Sequence, residues 1–144
     1  MNKLFNIEIF DFAIIITILG IKITSKALYN VIYRNPLYSN CSIPNLRELK
    51  KKNVQFPHPI GIVIAPEAEI GYNVIVMQNV TIGYDNGYPT IGNNVKIMPG
   101  AVVAGNIKIG DNAVIGANAV VRRDVDANAL AVGVPATIKK YFNN

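Results

Sequence analysis

From residue 64 onward the chain places an aliphatic side chain at every sixth position. Ile64, Ile70, Val76 and Ile82 are followed, after one nine-residue step, by Ile91, Ile97, Val103, Ile109, Ile115 and Val121. Ile and Val make up 37 of the 144 residues, and ten independent draws at that frequency agree on the order of once in a million. Three positions after each aliphatic residue stand Glu67, Asn73, Asn79, Asp85, Asn94, Gly100, Asn106, Asn112, Asn118 and Asp124, so nine of ten are Asn, Asp or Gly. These residue types tolerate positive φ and supply local turn hydrogen bonds, so each hexad predicts a short extended stretch closed by a sharp corner. The next column is small or aliphatic, from Ala68 and Val74 through Ala119 and Val125, with Asn86 the exception where the period breaks.

A helix does not carry this pattern, because six does not fit a turn of 3.6 residues and an Asn or Gly at every sixth position would weaken it steadily. Three flat sides per coil would use 18 residues, with strands of successive coils paired in parallel and the Ile/Val side chains stacked inward. The period leaves the hand of winding open. The step from Ile82 to Ile91 adds three residues, which predicts that Tyr84-Asp85-Asn86-Gly87-Tyr88-Pro89 leaves one corner as a loop.

Ahead of the repeat the pattern is different. Phe12 to Ile21 is an uncharged apolar run bounded by Glu8, Asp11 and Lys22. A spanning helix needs roughly 20 residues, so this run predicts a buried or interfacial element. Glu8 and Asp11 also interrupt the basic start of a secretory signal. The expected organisation is an apolar and basic segment over residues 1–45, helical in part, a repeat region over 46–126, and a tail over 127–144 that covers the last coil. Residues 7–33 either cover the first coil or make peripheral contact with a membrane.

Composition then narrows the function classes. The chain is 51% hydrophobic and 16% charged, which suits one folded domain rather than a disordered chain. Cys41 and His58 are the only residues of their types, which excludes a disulfide framework and a Cys/His zinc site and fits a reducing compartment. The net charge of +5 is concentrated before residue 58, but the longest basic run is Lys50-Lys51-Lys52 and tryptophan is absent. Nucleic acid is therefore not an expected partner. His58 is the one side chain whose ordinary pKa lies near neutrality, and Pro57 and Pro59 restrict the backbone on both sides of it.

Three segments, Phe56-Pro57-His58-Pro59-Ile60-Gly61-Ile62-Val63-Ile64, Gln78-Asn79-Val80-Thr81-Ile82-Gly83 and Val132-Gly133-Val134-Pro135-Ala136, occur in order around and within the repeat. Through them the chain resembles the hexapeptide-repeat acyltransferases, and within these the serine acetyltransferases and short polysaccharide O-acetyltransferases. The resemblance implies an all-β fold, a left-handed parallel β-helix, in a cytoplasmic homotrimer with sites between subunits. It also implies acetyl-CoA as co-substrate without a metal, and His58 as general base. In the similar enzymes an aspartate roughly 15 residues upstream orients the base, as in other catalytic dyads. Here Ser42 takes that place, which leaves a backbone carbonyl or Asp85 of a neighbouring subunit as substitutes. The longer loop that brings a second histidine to the amino-acid acceptor is represented here by Tyr88-Pro89. Matching by resemblance puts Pro99 and Ala117 along the pantetheine arm and Arg122, Arg123 and Lys140 near the carrier's phosphates. The activity expected first is acetyl transfer to a sugar hydroxyl in polysaccharide synthesis. The alternatives are acetyl transfer to serine, a small-molecule acceptor, and a non-catalytic β-helix acting as a binding or assembly module. The hexapeptide carbonic anhydrases, which need three zinc histidines, are excluded by the single histidine.

Overall fold

The computed structural model describes residues 40–142 throughout and, before them, the backbone of three strands. The chain divides into two compact units, Met1–Ser39 and Asn40–Asn144. In the first, β1 (Phe5–Phe10), β2 (Ala13–Ile18) and β3 (Ile21–Ile23) form an antiparallel meander in which Phe5 is opposite Ile18 and Phe10 opposite Ala13. Within residues 5–23 the described part of the segment expected to be partly helical is therefore strand. Its isoleucines are β-branched, lose side-chain freedom in a helix and fit a pleated surface. Residues 24–39, and the side chains on which a membrane contact through 7–33 depends, lie outside the described residues. Among the described residues no helix is long and apolar enough to cross a membrane.

The second unit is the left-handed parallel β-helix. It begins before residue 46: Ser42 bridges Val63 in parallel, and α1 (Leu46–Lys51) then leads to Gln55, which bridges Ile75. Leu49 is the one buried residue of α1 and anchors it to the first coil. The first face stacks β4 (Val63–Ile64), β7 (Thr81–Gly83), β10 (Val102–Ala104) and β13 (Val120–Val121). The second stacks β5 (Glu69–Ile70), β8 (Thr90–Ile91) and β11 (Lys108–Ile109). The third stacks β6 (Ile75–Val76), β9 (Lys96–Ile97), β12 (Val114–Ile115) and β14 (Ala129–Val132), and β15 (Thr137–Tyr141) turns back antiparallel against β14.

Burial explains the repeat. All ten Ile/Val positions of the six-residue column are buried, in strands whose preceding residue is not. Asn73, Asn79, Asn94, Asn112 and Asn118 take φ between 54° and 59°, and Gly100 takes 72°. The corner between first and second faces differs, for Glu67, Asp85, Asn106 and Asp124 do not take positive φ. Carboxylates among them make bonds there: Asp124 accepts from the Lys108 amide at 2.8 Å, and Asp85 accepts from Arg122. The corner between second and third faces carries an asparagine ladder: each of Asn53, Asn73, Asn94 and Asn112 donates its side-chain amide to the next, ending on Asn128, at 2.9–3.1 Å. Such ladders satisfy side-chain polar groups rung by rung and hold the corners in register.

Candidate functional site

The edge between the third and first faces is built by four successive corners. The amides of Asn79, Gly100 and Asn118 donate to the carbonyls of Ile60, Gln78 and Pro99 at 2.8, 3.0 and 2.9 Å. Ile60, Gln78, Pro99 and Ala117 therefore stand in one column. With strands about 4.8 Å apart, three steps make it about 14 Å long.

His58 lies at the head of this column. It is exposed, as is Pro57, while Pro59 is buried. Its carbonyl accepts the Ile60 amide at 2.8 Å, so the chain bends immediately after the imidazole. Gly61 follows with φ 63°, and the space that a β-carbon would need is held by Asn79 Oδ1. Only glycine combines this backbone with so close a neighbour. Among the described residues the imidazole has no hydrogen bond or ion pair, so both ring nitrogens are open to a substrate or to another copy of the chain.

Ser42, expected beside the imidazole, is placed by its backbone: its amide donates to Ile62 O and its carbonyl accepts from the Ile64 amide, both at 2.8 Å. Its hydroxyl makes no bond to His58. The residue that does reach this corner is its neighbour. Cys41 Sγ donates to Pro59 O at 3.1 Å and accepts from the Ile62 amide at 3.4 Å. The sequence marks Cys41 only as the single cysteine of a matched segment, and nothing in spacing tells where its thiol goes. Gln78 was equally silent, although its Oε1 is buried in the column without a partner.

Asp85 and Tyr88 belong to the opposite edge of the first face, where the three extra residues leave the coil. Asp85 Oδ2 is bound there by Arg122, whose Nε donates at 2.8 Å and whose Nη2 is in still closer contact. Within one chain, Asp85 is thus committed to an arginine and separated from His58 by the width of a face. Arg122, expected at the carrier's phosphates, is correspondingly half-neutralised. Arg123 beside it is exposed and, among the described residues, unpaired. Tyr84 and Tyr88 rings meet edge to face at 5.2 Å. The Tyr88 phenol is raised above its ordinary pKa, first by desolvation and then by Glu67, which accepts its hydrogen bond and repels the phenolate. Lys140 lies on β15 with its ammonium 5.0 Å from the Phe142 ring centre, at the far end of the third face. Pro99 and Ala117 share the column with His58. Arg122, Arg123 and Lys140 do not.

A groove of about 580 Å³ lies elsewhere, between α1 and the second face, lined by Leu49, Lys52, Glu67, Ile70, Thr90 and Asn93 among others. It contains no residue of the His58 column. No group of three or more His, Cys, Asp or Glu able to hold a metal occurs among the described residues.

Residues 88–123 match the family model for the bacterial transferase hexapeptide, six repeats. The serine acetyltransferase of Staphylococcus aureus (strain Mu50) is 44% identical over 94 residues, which cover 62% of this chain and 44% of that protein. A solved serine acetyltransferase in complex with CoA is 41% identical with a TM-score of 0.58, covering 59% of this chain and 36% of that one. The Neisseria gonorrhoeae serine acetyltransferase in complex with serine is 36% identical with a TM-score of 0.58, covering 60% and 37%. The chain spans less than half the length of the curated relatives it matches. The coiled unit is therefore a left-handed parallel β-helix that carries one stretch matching the bacterial transferase hexapeptide and is similar in sequence and fold to the serine acetyltransferases.

Proposed function

We propose that the coil is an acetyl-CoA-dependent O-acetyltransferase in which His58 is the general base. The observation that carries this is an exposed imidazole at the head of a column of uncharged residues, in a segment similar to enzymes one of which has been solved with CoA. Pantetheine is a slender arm, and the Pro99 and Ala117 positions leave it room to run along the edge. His58 takes the proton of the acceptor hydroxyl, and the oxygen attacks the thioester carbonyl. A backbone amide stabilises the tetrahedral oxyanion, and the collapsing intermediate expels the thiolate, which regains the proton from His58. Arg123 and Lys140 supply cations for the carrier's phosphates, with Arg122 available to the extent that Asp85 releases it.

The acceptor favoured by the relatives is serine, which takes the place of the sugar hydroxyl expected first from the sequence. A sugar remains the second reading because of one feature: Tyr84, 66% exposed, offers an aromatic face on the insertion loop where the similar enzymes carry a histidine. The outward row of the first face, Val63, Thr81, Val102 and Val120, carries no charge, whereas the second face presents Glu69 and Lys108. This supports a homotrimer in which the uncharged face meets another copy, bringing that copy's insertion loop towards His58. Release of free thiol from acetyl-CoA, measured with serine and with a panel of sugars, tests the proposal. Serine-dependent release supports it, sugar-dependent release moves the acceptor to the second reading, and saturable CoA binding without release from any acceptor assigns the coil to a binding module.

A further inference from the structure

Pro59, Ile60, Gly61 and Ile62 form a tight bend whose two ends, the Pro59 carbonyl and the Ile62 amide, do not bond each other. Both bond instead to one sulfur, since Cys41 Sγ donates to Pro59 O at 3.1 Å and accepts from Ile62 N at 3.4 Å. Pro59 and Ile62 are buried, so water does not replace the thiol. The adjoining bonds of Ser42 to Ile62 O and from Ile64 N hold the same strand through the next residue of the same segment. A thiol can act as donor and acceptor at once, which is what this gap between a carbonyl and an amide requires.

We propose that Cys41 is a positioning residue for His58. By closing the bend that begins one residue after the imidazole, the thiol fixes the direction in which the ring leaves the coil. It does from the backbone side what a carboxylate does from the ring side. The catalytic consequence rests on His58 being the base; the positional one does not.

Because His58 is the only histidine, its ring Cε1–H proton gives one assignable resonance that reports position independently of activity. Cys41→Ser retains a donor and acceptor, whereas Cys41→Val fills similar space with neither. The expected result is that Cys41→Ser keeps the His58 resonance in place and kcat within about threefold. Cys41→Val should shift or broaden that resonance and lower kcat at least about tenfold, with the KM for acetyl-CoA within about twofold. A folded Cys41→Val protein with an unmoved resonance and unchanged kcat overturns the proposal. If that variant does not fold, amide exchange of Ile62 in the unaltered protein decides: strong protection supports the thiol bridge, and exchange at the rate of an exposed amide overturns it. His58→Ala is run in parallel. If it retains activity while Cys41→Val moves the resonance, the general-base reading fails and the positioning survives.

Discussion

Asp85 and Arg122, 37 residues apart in sequence, form an ion pair that ties the insertion loop to a corner of the last complete coil. The loop crosses the intervening corner at Gly105, where a β-carbon would stand 3.3 Å from Asp85 O. Both side chains are substantially exposed, so the pair contributes little to stability, on the order of 0–1 kcal/mol. On the proposed reading of the site, the pair steadies the loop that carries Tyr84 and Tyr88. Asp85→Asn should therefore leave the melting temperature nearly unchanged, raise the KM for the acceptor several-fold and make Arg122 free to bind phosphate. Titration with CoA should show unchanged or tighter binding; much weaker binding would contradict this division of labour.

Gly61 is fixed by two constraints at once, a φ of 63° and the side chain of Asn79 in the place of its missing β-carbon. Gly61→Ala should cost about 2–4 kcal/mol, combining the positive-φ penalty with the steric one. Adding Asn79→Ala should recover part of that loss by removing the steric term. Urea unfolding of the single and double variants measures the coupling, and strictly additive effects would show that the two residues do not meet.

The asparagine ladder makes a comparable prediction at its midpoint. Asn94→Ala removes the side-chain bonds to Asn73 and Asn112 and places alanine at φ 56°, so it should cost about 1–3 kcal/mol. Asn94→Gly loses the same bonds but tolerates the backbone, and should cost less. Chemical denaturation ranks the two, and the reverse order would mean that the positive φ carries no penalty at this corner.

Tyr88 gives a pH dependence with a definite sign. Its neutral phenol donates to Glu67 and its folded pKa lies above 10.0, so the folded protein holds that proton more tightly than the unfolded chain. The resulting stability is complete below about pH 10 and is lost as pH rises through the folded value. In Glu67→Gln the phenol should titrate closer to its ordinary value, a change visible by ultraviolet difference spectroscopy against Tyr88→Phe.

The coil was legible because its physics is periodic. Each of ten aliphatic residues pays its part into one core, and two of the three corners of a coil need a residue content with positive φ, so both columns survive in the sequence. The meander of β1 to β3 was not, because a run of isoleucines has no period that distinguishes strand from a buried helix. His58 could be found from its flanking prolines and the segment it resembles. Cys41 could not, since its partners Pro59 and Ile62 are 18 and 21 residues away and are main-chain atoms, which leave no trace in side-chain chemistry. Arg122 is matched to the carrier's phosphates by resemblance alone, and its pairing with Asp85 was not legible, because an exposed arginine and one held by a carboxylate look alike until the loop is folded back.

The most direct measurement is turnover of acetyl-CoA by His58→Ala beside the unaltered protein, with CoA binding and circular dichroism recorded on both. Loss of a proton-transferring base predicts a fall in kcat of about 10²–10⁴-fold with the fold and CoA affinity retained. Undiminished thiol release by the variant would contradict the account.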